Sequence, residues 1–258
     1  MDLNSIRIYS TLFIIISSLV IIALETLYPY KKEQKFFREG FFEDFVLYTF
    51  VQSFICGIII SYIIQFIDGT TNLSRLHLIS GWPVWVQVLF FLVTHDFYIY
   101  WFHRYQHRSK IFWRTHEAHH SNTNIDWLAG SRSHILEILI NQTVEFLPIV
   151  LLGAAPEVAV IKGAIDAVWG MYIHSNIDVN TGKLQYVING PEMHRWHHAD
   201  KDEDAYNKNF GTKFALWDWI FGTAYFPQDK KPENYGLSYL NFPRSYLRQL
   251  LYAFRKFD

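Results

Sequence analysis

The chain has 258 residues, of which 50% are hydrophobic, 18% aromatic and 18% charged, with a net charge of −1. A soluble domain carries about 25% charge, so this composition excludes disorder, and with no basic surplus it excludes a nucleic-acid binder. One cysteine, Cys56, rules out an internal disulfide, a cysteine-based zinc site and a thiolate-held iron–sulfur cluster, whereas the 12 histidines are unusual.

Ile8 to Leu24 carries no charge and stays apolar to Leu27. It reads as a first membrane span rather than a cleaved leader, because Asp2 precedes it, Arg7 is its one basic neighbour and no small-x-small cleavage site follows. Phe45 to Ile67 is 23 residues without a charge. As a helix it would cover about 34 Å, enough for a bilayer core of about 30 Å. A third span is expected from Trp82 to Phe102, with His95 and Asp96 in its inner half. Leu136–Gly153 and Val158–Ile173 are weaker apolar stretches, broken by Gly153-Ala154-Ala155-Pro156 and carrying Glu145, Lys162 and Asp166. They read as a hairpin of spans or a re-entrant pair. From Gly182 the chain turns polar, with turn signals such as Asn189-Gly190-Pro191. The expected fold is all-α: a multi-pass bundle of about four transmembrane or re-entrant helices under a cytoplasmic helical cap. Residues 1–82 supply the N-terminal spans and loops, 83–226 the functional domain and 227–258 a C-terminal cytoplasmic tail.

Basic residues set the orientation. Lys31, Lys32, Lys35 and Arg38 follow the first span, Arg75 stands alone after the second, and Arg104, Arg108, Lys110 and Arg114 follow the third. The first loop and the region after Phe102 are therefore expected on the cytoplasmic side.

All the histidine clusters follow Phe102. They are His103-Arg104-Tyr105-Gln106-His107, His116-Glu117-Ala118-His119-His120 and His194-Arg195-Trp196-His197-His198, with His174 in His174-Ser175-Asn176. On a helix, positions i, i+3 and i+4 are neighbours, so each cluster presents its rings together. Neutral imidazole suits iron, zinc, copper and nickel. One metal cannot use eight or nine histidines; two can. Left unpaired, so many rings would be costly to desolvate. His116-Glu117-Ala118-His119-His120 also fits the His-Glu-x-x-His pattern of a zinc hydrolase, with Glu117 as base. That reading leaves His119, the third cluster and the His103/His107 pair without a role. Asp96, Tyr100, His103 and His107 form one helical stripe. A carboxylate inside a span is usually functional, so Asp96 is expected to accept a hydrogen bond from a ligand's second nitrogen. His95, His134, Glu117 and Asn176 are further candidates to support or complete the site.

At these residues the chain resembles the fatty acid hydroxylase superfamily, also called the sterol desaturase family. The likeness covers roughly residues 83 to 226. It rests on Asp96-Phe97-Tyr98-Ile99-Tyr100-Trp101-Phe102-His103-Arg104, the two His-x-x-His-His runs, His174-Ser175-Asn176, Asn209-Phe210-Gly211 and Trp217-Asp218-Trp219-Ile220-Phe221-Gly222-Thr223. The resemblance implies an integral membrane, non-haem di-iron enzyme that uses O2 to hydroxylate or desaturate a lipid such as a sterol or fatty acyl chain. Implied ligands are His103, His107, His116, His119, His120, His174, His194, His197 and His198. Some members carry another histidine where this chain has Asp178; Asp178, Asn176, His95 or His134 then completes the site, or it has one ligand fewer. The His-Pro-Gly-Gly haem motif of variants fused to cytochrome b5 is absent from this sequence. Electrons are therefore expected from a partner, of cytochrome b5 or ferredoxin/reductase type. The membrane is expected to be the bacterial cytoplasmic membrane or the endoplasmic reticulum.

Overall fold

The computed structural model describes residues 2–200, 204–239 and 241–256, and among these it is helical with no β-sheet. The expected spans appear as α1 (Leu3–Leu27), α2 (Ser53–Thr71) and α3 (Val84–Arg108). Asp2 caps α1 by accepting from the Ser5 amide at 3.0 Å. A π-helical segment, Glu43–Gln52, leads without a break into α2, so the second apolar helix runs over Glu43–Thr71. Among the described residues three helices are long and apolar enough to cross a bilayer, and the chain is an integral membrane protein. Ile16 and Leu19 on α1 and Phe54, Tyr62 and Phe66 on α2 are exposed, as lipid-facing side chains must be.

Ser109 turns the chain from α3 into α4 (Lys110–His120), ending one helix and accepting from the Phe112 amide at the start of the next. The two weaker apolar stretches form α5 (Ile135–Leu151) and α6 (Pro156–Ile173). Gly153 closes the turn between them at φ +69°. A Cβ there would stand 2.8 Å from the His77 backbone and 2.9 Å from the Ser74 carbonyl. The turn is pinned to the end of the bundle where α3 begins: Ile79 N–H donates to Leu152 O at 3.2 Å and Ala155 N–H to Gln87 Oε1 at 2.9 Å. Both helices therefore run the length of α3 and return His174 to its far end.

Helix α1 lies along α6, α2 along α5, and α3 packs against α4, α5 and α6. The core between α3 and the hairpin holds Val88, Phe91, Ile149 and Val158. Beyond the bundle come short helices α7 (Pro191–His197), α8 (Leu216–Ile220) and α9 (Tyr246–Tyr252). Helix α9 folds back onto the π segment, with Tyr48 Oη donating to Gln249 Oε1 at 2.5 Å and Tyr246 Oη to Gln52 Oε1 at 3.0 Å.

Candidate metal centre

Nine imidazoles converge at the cap-side end of the bundle and sort into two groups. Ring nitrogens of His103, His107, His116, His120 and His197 lie within 4.8 Å of one another, and so do those of His119, His174, His194 and His198. Helix geometry does the sorting. Successive residues point about 100° apart, so neighbouring histidines cannot share a target. Helix α4 gives its i, i+4 pair, His116 and His120, to the first group and His119 to the second. Helix α7 and its C-cap do the reverse: His194 and His198 join the second group, His197 the first.

The outward-facing nitrogens fix the tautomers. His103 Nδ1 bonds to Phe210 O at 2.9 Å, His197 Nδ1 to Lys208 O at 2.8 Å and His116 Nδ1 to Glu137 Oε1 at 2.9 Å. In the second group His174 Nδ1 bonds to Gly170 O at 2.8 Å and His119 Nδ1 to Arg132 O at 3.3 Å. A carbonyl or carboxylate oxygen accepts, so these Nδ1 atoms carry the hydrogen and each Nε2 keeps a bare lone pair. Yet His103 Nε2 faces His116 Nε2 at 3.0 Å, and His174 Nε2 faces His119 Nε2 at 3.2 Å. Two bare lone pairs at that distance repel unless a cation lies between them. Nε2 of His107, His120 and His197 is buried without a partner. Nitrogens about 2.1 Å from one metal, at right angles, would sit about 3 Å apart. The donor set therefore fits two metal ions held by neutral imidazole.

Burial favours the neutral form of several of these rings. It is the largest cause holding His119, His120, His194 and His198 well below the usual imidazole range, with neighbouring rings adding to it. Burial also lowers His174 to about 4 and His197 to about 3. Neutrality is what metal ligation requires.

The supporting residues differ from expectation. Asp96 reaches none of the nine rings. Its carboxylate accepts from Thr212 Oγ1 at 2.6 Å, Lys213 N at 2.8 Å, Phe214 N at 3.0 Å and Trp217 Nε1 at 3.0 Å, locking the C-terminal loop to α3. His134 caps α5 with Nδ1 and meets Leu250 O with Nε2 at 3.0 Å, so neither nitrogen is left for a metal. Asn176 exchanges bonds with the backbone of Lys31. Asp178 is half-exposed and pairs with Lys231 at 3.0 Å. Glu117 is turned from the rings into a two-bond pair with Arg255, at 2.6 and 2.9 Å, which removes the base that a zinc hydrolase would need. His95 belongs to a separate ionic cluster deeper in the bundle.

Sequence reasoning missed Glu137, the carboxylate behind His116. Its signal was a lone acid opening the apolar stretch after Leu136. It also missed the backbone acceptors. Phe210 O is set by a web of bonds: Asp218 accepts from the Phe210 and Gly211 amides at 2.8 and 2.7 Å, and Asn209 donates to Met193 O and Tyr225 O at 2.9 and 2.8 Å. Arg104 donates to Tyr100 Oη at 3.0 Å, and Tyr100 and Thr223 hydroxyls meet at 2.8 Å, tying that web to α3.

Residues 88–223 match the family model described as fatty acid hydroxylase, just over half of the chain. The chain belongs to the fatty acid hydroxylase family. It is 31% identical over 175 residues to ornithine lipid hydroxylase OlsE of Rhizobium tropici, covering 68% of this chain and 52% of that protein. It is 31% identical over 144 residues to human alkylglycerol monooxygenase, covering 56% and 31%. Methylsterol monooxygenase 1-3 of Arabidopsis thaliana is 29% identical over 161 residues, covering 58% and 53%. The chain thus spans about half the length, or less, of these curated relatives. No solved structure matches it.

In this family member a cavity of about 230 Å³ opens beneath the two histidine groups. His103, His116, His119, His174 and His194 line one end, Ile99, Phe102, Trp169 and Ile173 the sides, and His95, Glu145, Asp166 and Lys213 the other end. It touches both groups, so a molecule inside would face both metals.

Proposed function

We propose that the protein is a membrane-bound non-haem di-iron oxidoreductase that hydroxylates or desaturates a lipid, with O2 as co-substrate and electrons from a cytochrome b5 or ferredoxin-type partner. One observation carries the reading: nine clustered imidazoles form two groups in which bare Nε2 lone pairs of His103 and His116 face each other at 3.0 Å and those of His119 and His174 at 3.2 Å, while Nε2 of His107, His120 and His197 is buried without a partner. His103, His107, His116, His120 and His197 would hold one iron, and His119, His174, His194 and His198 the other. Iron in such a site supplies O2 activation and attack on an unactivated C–H bond.

The chain's own residues do the rest. Glu137 and the carbonyls of Phe210, Lys208, Gly170 and Arg132 hold five rings in the ligating tautomer. The cavity, lined by rings of both groups, positions the lipid beside them. Basic residues after α3 support a cytoplasmic site. Membership in a family that includes lipid hydroxylases and monooxygenases supports the reaction class. The test is metal analysis of the purified protein, then anaerobic reduction and O2 admission with lipid extracts. Lipid-dependent O2 uptake with an oxygenated or desaturated product is expected. Full iron loading with no such uptake, or zinc in place of iron with no uptake, overturns it.

A further inference from the structure

The floor of the cavity holds an ionic cluster that metal binding does not use. Lys162 is fully buried. Its ammonium donates to Glu145 Oε1 at 2.7 Å, Asp166 Oδ2 at 2.7 Å and His95 Nδ1 at 3.2 Å. An ammonium has three N–H groups, and all are used. The His95, Glu145 and Asp166 triad therefore already contains its cation and calls for no third metal. Lys213 Nζ lies 3.1 Å from Asp166 Oδ1 and 3.7 Å from Asp96 Oδ1.

Several polar atoms on the cavity wall are left without a partner. His95 Nδ1 accepts from Lys162, so its Nε2 carries the hydrogen; that N–H is buried without a partner on a side chain only 9% exposed. Trp169 Nε1–H is buried without a partner too. Gln106 Nε2 and Glu137 Oε2 are also unpaired, but Glu137 lies behind His116, at the metal end. Two N–H donors thus remain toward the ionic floor of a cavity whose walls mix Ile99, Phe102 and Ile173 with Asn141 and Thr212.

We propose that this end of the cavity binds the headgroup of the lipid, and that the headgroup is an uncharged hydroxyl or amide. The inference rests on the oxygenase reading for calling the ligand a substrate. An alkyl terminus would leave both donors unpaired. An anionic head would meet three carboxylates, Glu145, Asp166 and Asp96, against the two ammonium groups of Lys162 and Lys213. A cationic head has no lone pair to offer two N–H donors. A hydroxyl or amide oxygen offers lone pairs to both. The lipid enters head first, with its tail left in the bilayer, because about 230 Å³ is below the size of a typical pocket for a whole ligand of drug size. His95 lies eight residues before His103 on α3. The headgroup site is therefore about 12 Å along the helix from the nearer metal group, and the oxidised carbon lies within about that distance of the head.

The experiment measures binding without turnover. The full-length, metal-loaded protein in nanodiscs, with no reductant, is titrated with hexadecanol, hexadecanamide, hexadecylammonium, hexadecyl phosphate and hexadecane. Thermal stabilisation and tryptophan fluorescence are the readouts. The alcohol and amide are expected to bind about tenfold tighter than the other three. Trp169→Phe and His95→Phe should erase most of that advantage and leave hexadecane unchanged, whereas His95→Gln, which keeps an N–H donor, should preserve it. Equal or tighter binding of hexadecane, the ammonium or the phosphate overturns the proposal, as does a uniform weakening by Trp169→Phe. Since nothing is oxidised, headgroup preference and O2 uptake can fail separately, and each failure counts only against its own claim.

Discussion

The two histidine groups are built from the same motif and end unequal. The first draws on α3, α4 and α7 and has five rings; the second draws on α4, the end of α6 and α7 with its C-cap, and has four. Three of the five rings in the first are braced from behind, one of them by a carboxylate. Both braced rings found in the second lean on backbone carbonyls. The unequal numbers follow from the mirrored use of His-x-x-His-His. Each run gives a pair to one group and a single ring to the other, so the two runs together supply three and three. The balance is then set by what else arrives: His103 and His107 for one group, His174 alone for the other. Four nitrogens leave more of a metal's coordination sphere to outside molecules than five do. The difference would therefore separate a more fully enclosed metal from a more open one.

Removing one ring from each group is the largest test of that asymmetry. Structural sites with four ligands bind zinc with about 10–16 kcal/mol, or about 3 kcal/mol per ligand, so one lost ligand costs roughly a hundredfold in affinity. His198→Ala leaves three nitrogens in the second group, and purified protein should lose about half its metal and nearly all activity. His107→Ala leaves four in the first group, so its metal content should stay closer to that of the unaltered protein. Mass-spectrometric metal analysis of both variants decides it; equal losses would break the comparison.

Glu137→Leu comes next. It removes the carboxylate that accepts from His116 Nδ1 and leaves the ring free to turn or change tautomer. Loss of such a partner costs about 10- to 100-fold in metal affinity. The loss should fall on the five-ring group, with the four-ring metal retained through a chelator titration. Simultaneous release of both metals would mean that the groups do not act separately.

Gly130→Ala perturbs the other group. A Cβ at Gly130 would stand 2.6 Å from His174 Nδ1 and 2.9 Å from its Cε1. The ring must move, which strains its bond to Gly170 O. A fall of about tenfold or less in affinity is expected, since His174 remains available at a shifted position. Mössbauer spectra of the iron-loaded protein should show one component changed and one unchanged.

How far these features could be read in advance depended on which atoms carry them. The spans announced themselves because Phe45–Ile67 has no charge, and the convergence of rings because i, i+3 and i+4 spacing is local geometry. Asp96 shows the limit. Its stripe with Tyr100, His103 and His107 is real, but the stripe faces the C-terminal loop, and the donors that take its carboxylate lie between Thr212 and Trp217. Nothing near Asp96 in the chain encodes that pairing. The acceptors behind His103, His197, His174 and His119 are main-chain carbonyls, which have no residue signature at all. Arg38 is a similar case. Its charge reads as a topology marker, yet it is buried between Asp44 and Asp126, 2.8 Å from each.

The smallest effect is predicted at Asp178, one of the residues expected from the sequence to complete the site. The four-ring group invites the idea that a carboxylate here completes it. Asp178 is instead half-exposed, and its partner Lys231 is more exposed still. An exposed ion pair is worth about 0–1 kcal/mol and is screened by salt. Asp178→Asn should therefore leave metal content, spectra and O2 uptake unchanged, with thermal stability lowered by about a degree or two at most and less at high salt. The contrast is with His174, four residues earlier and also past the end of α6. Its ring is carried inward by its bond to Gly170 O and the close approach at Gly130, whereas the chain has already turned outward by Asp178, after Asn176 ties it to Lys31. A changed metal spectrum in Asp178→Asn would show that the chain swings inward when metal binds, and the four-ring group would then have a fifth donor.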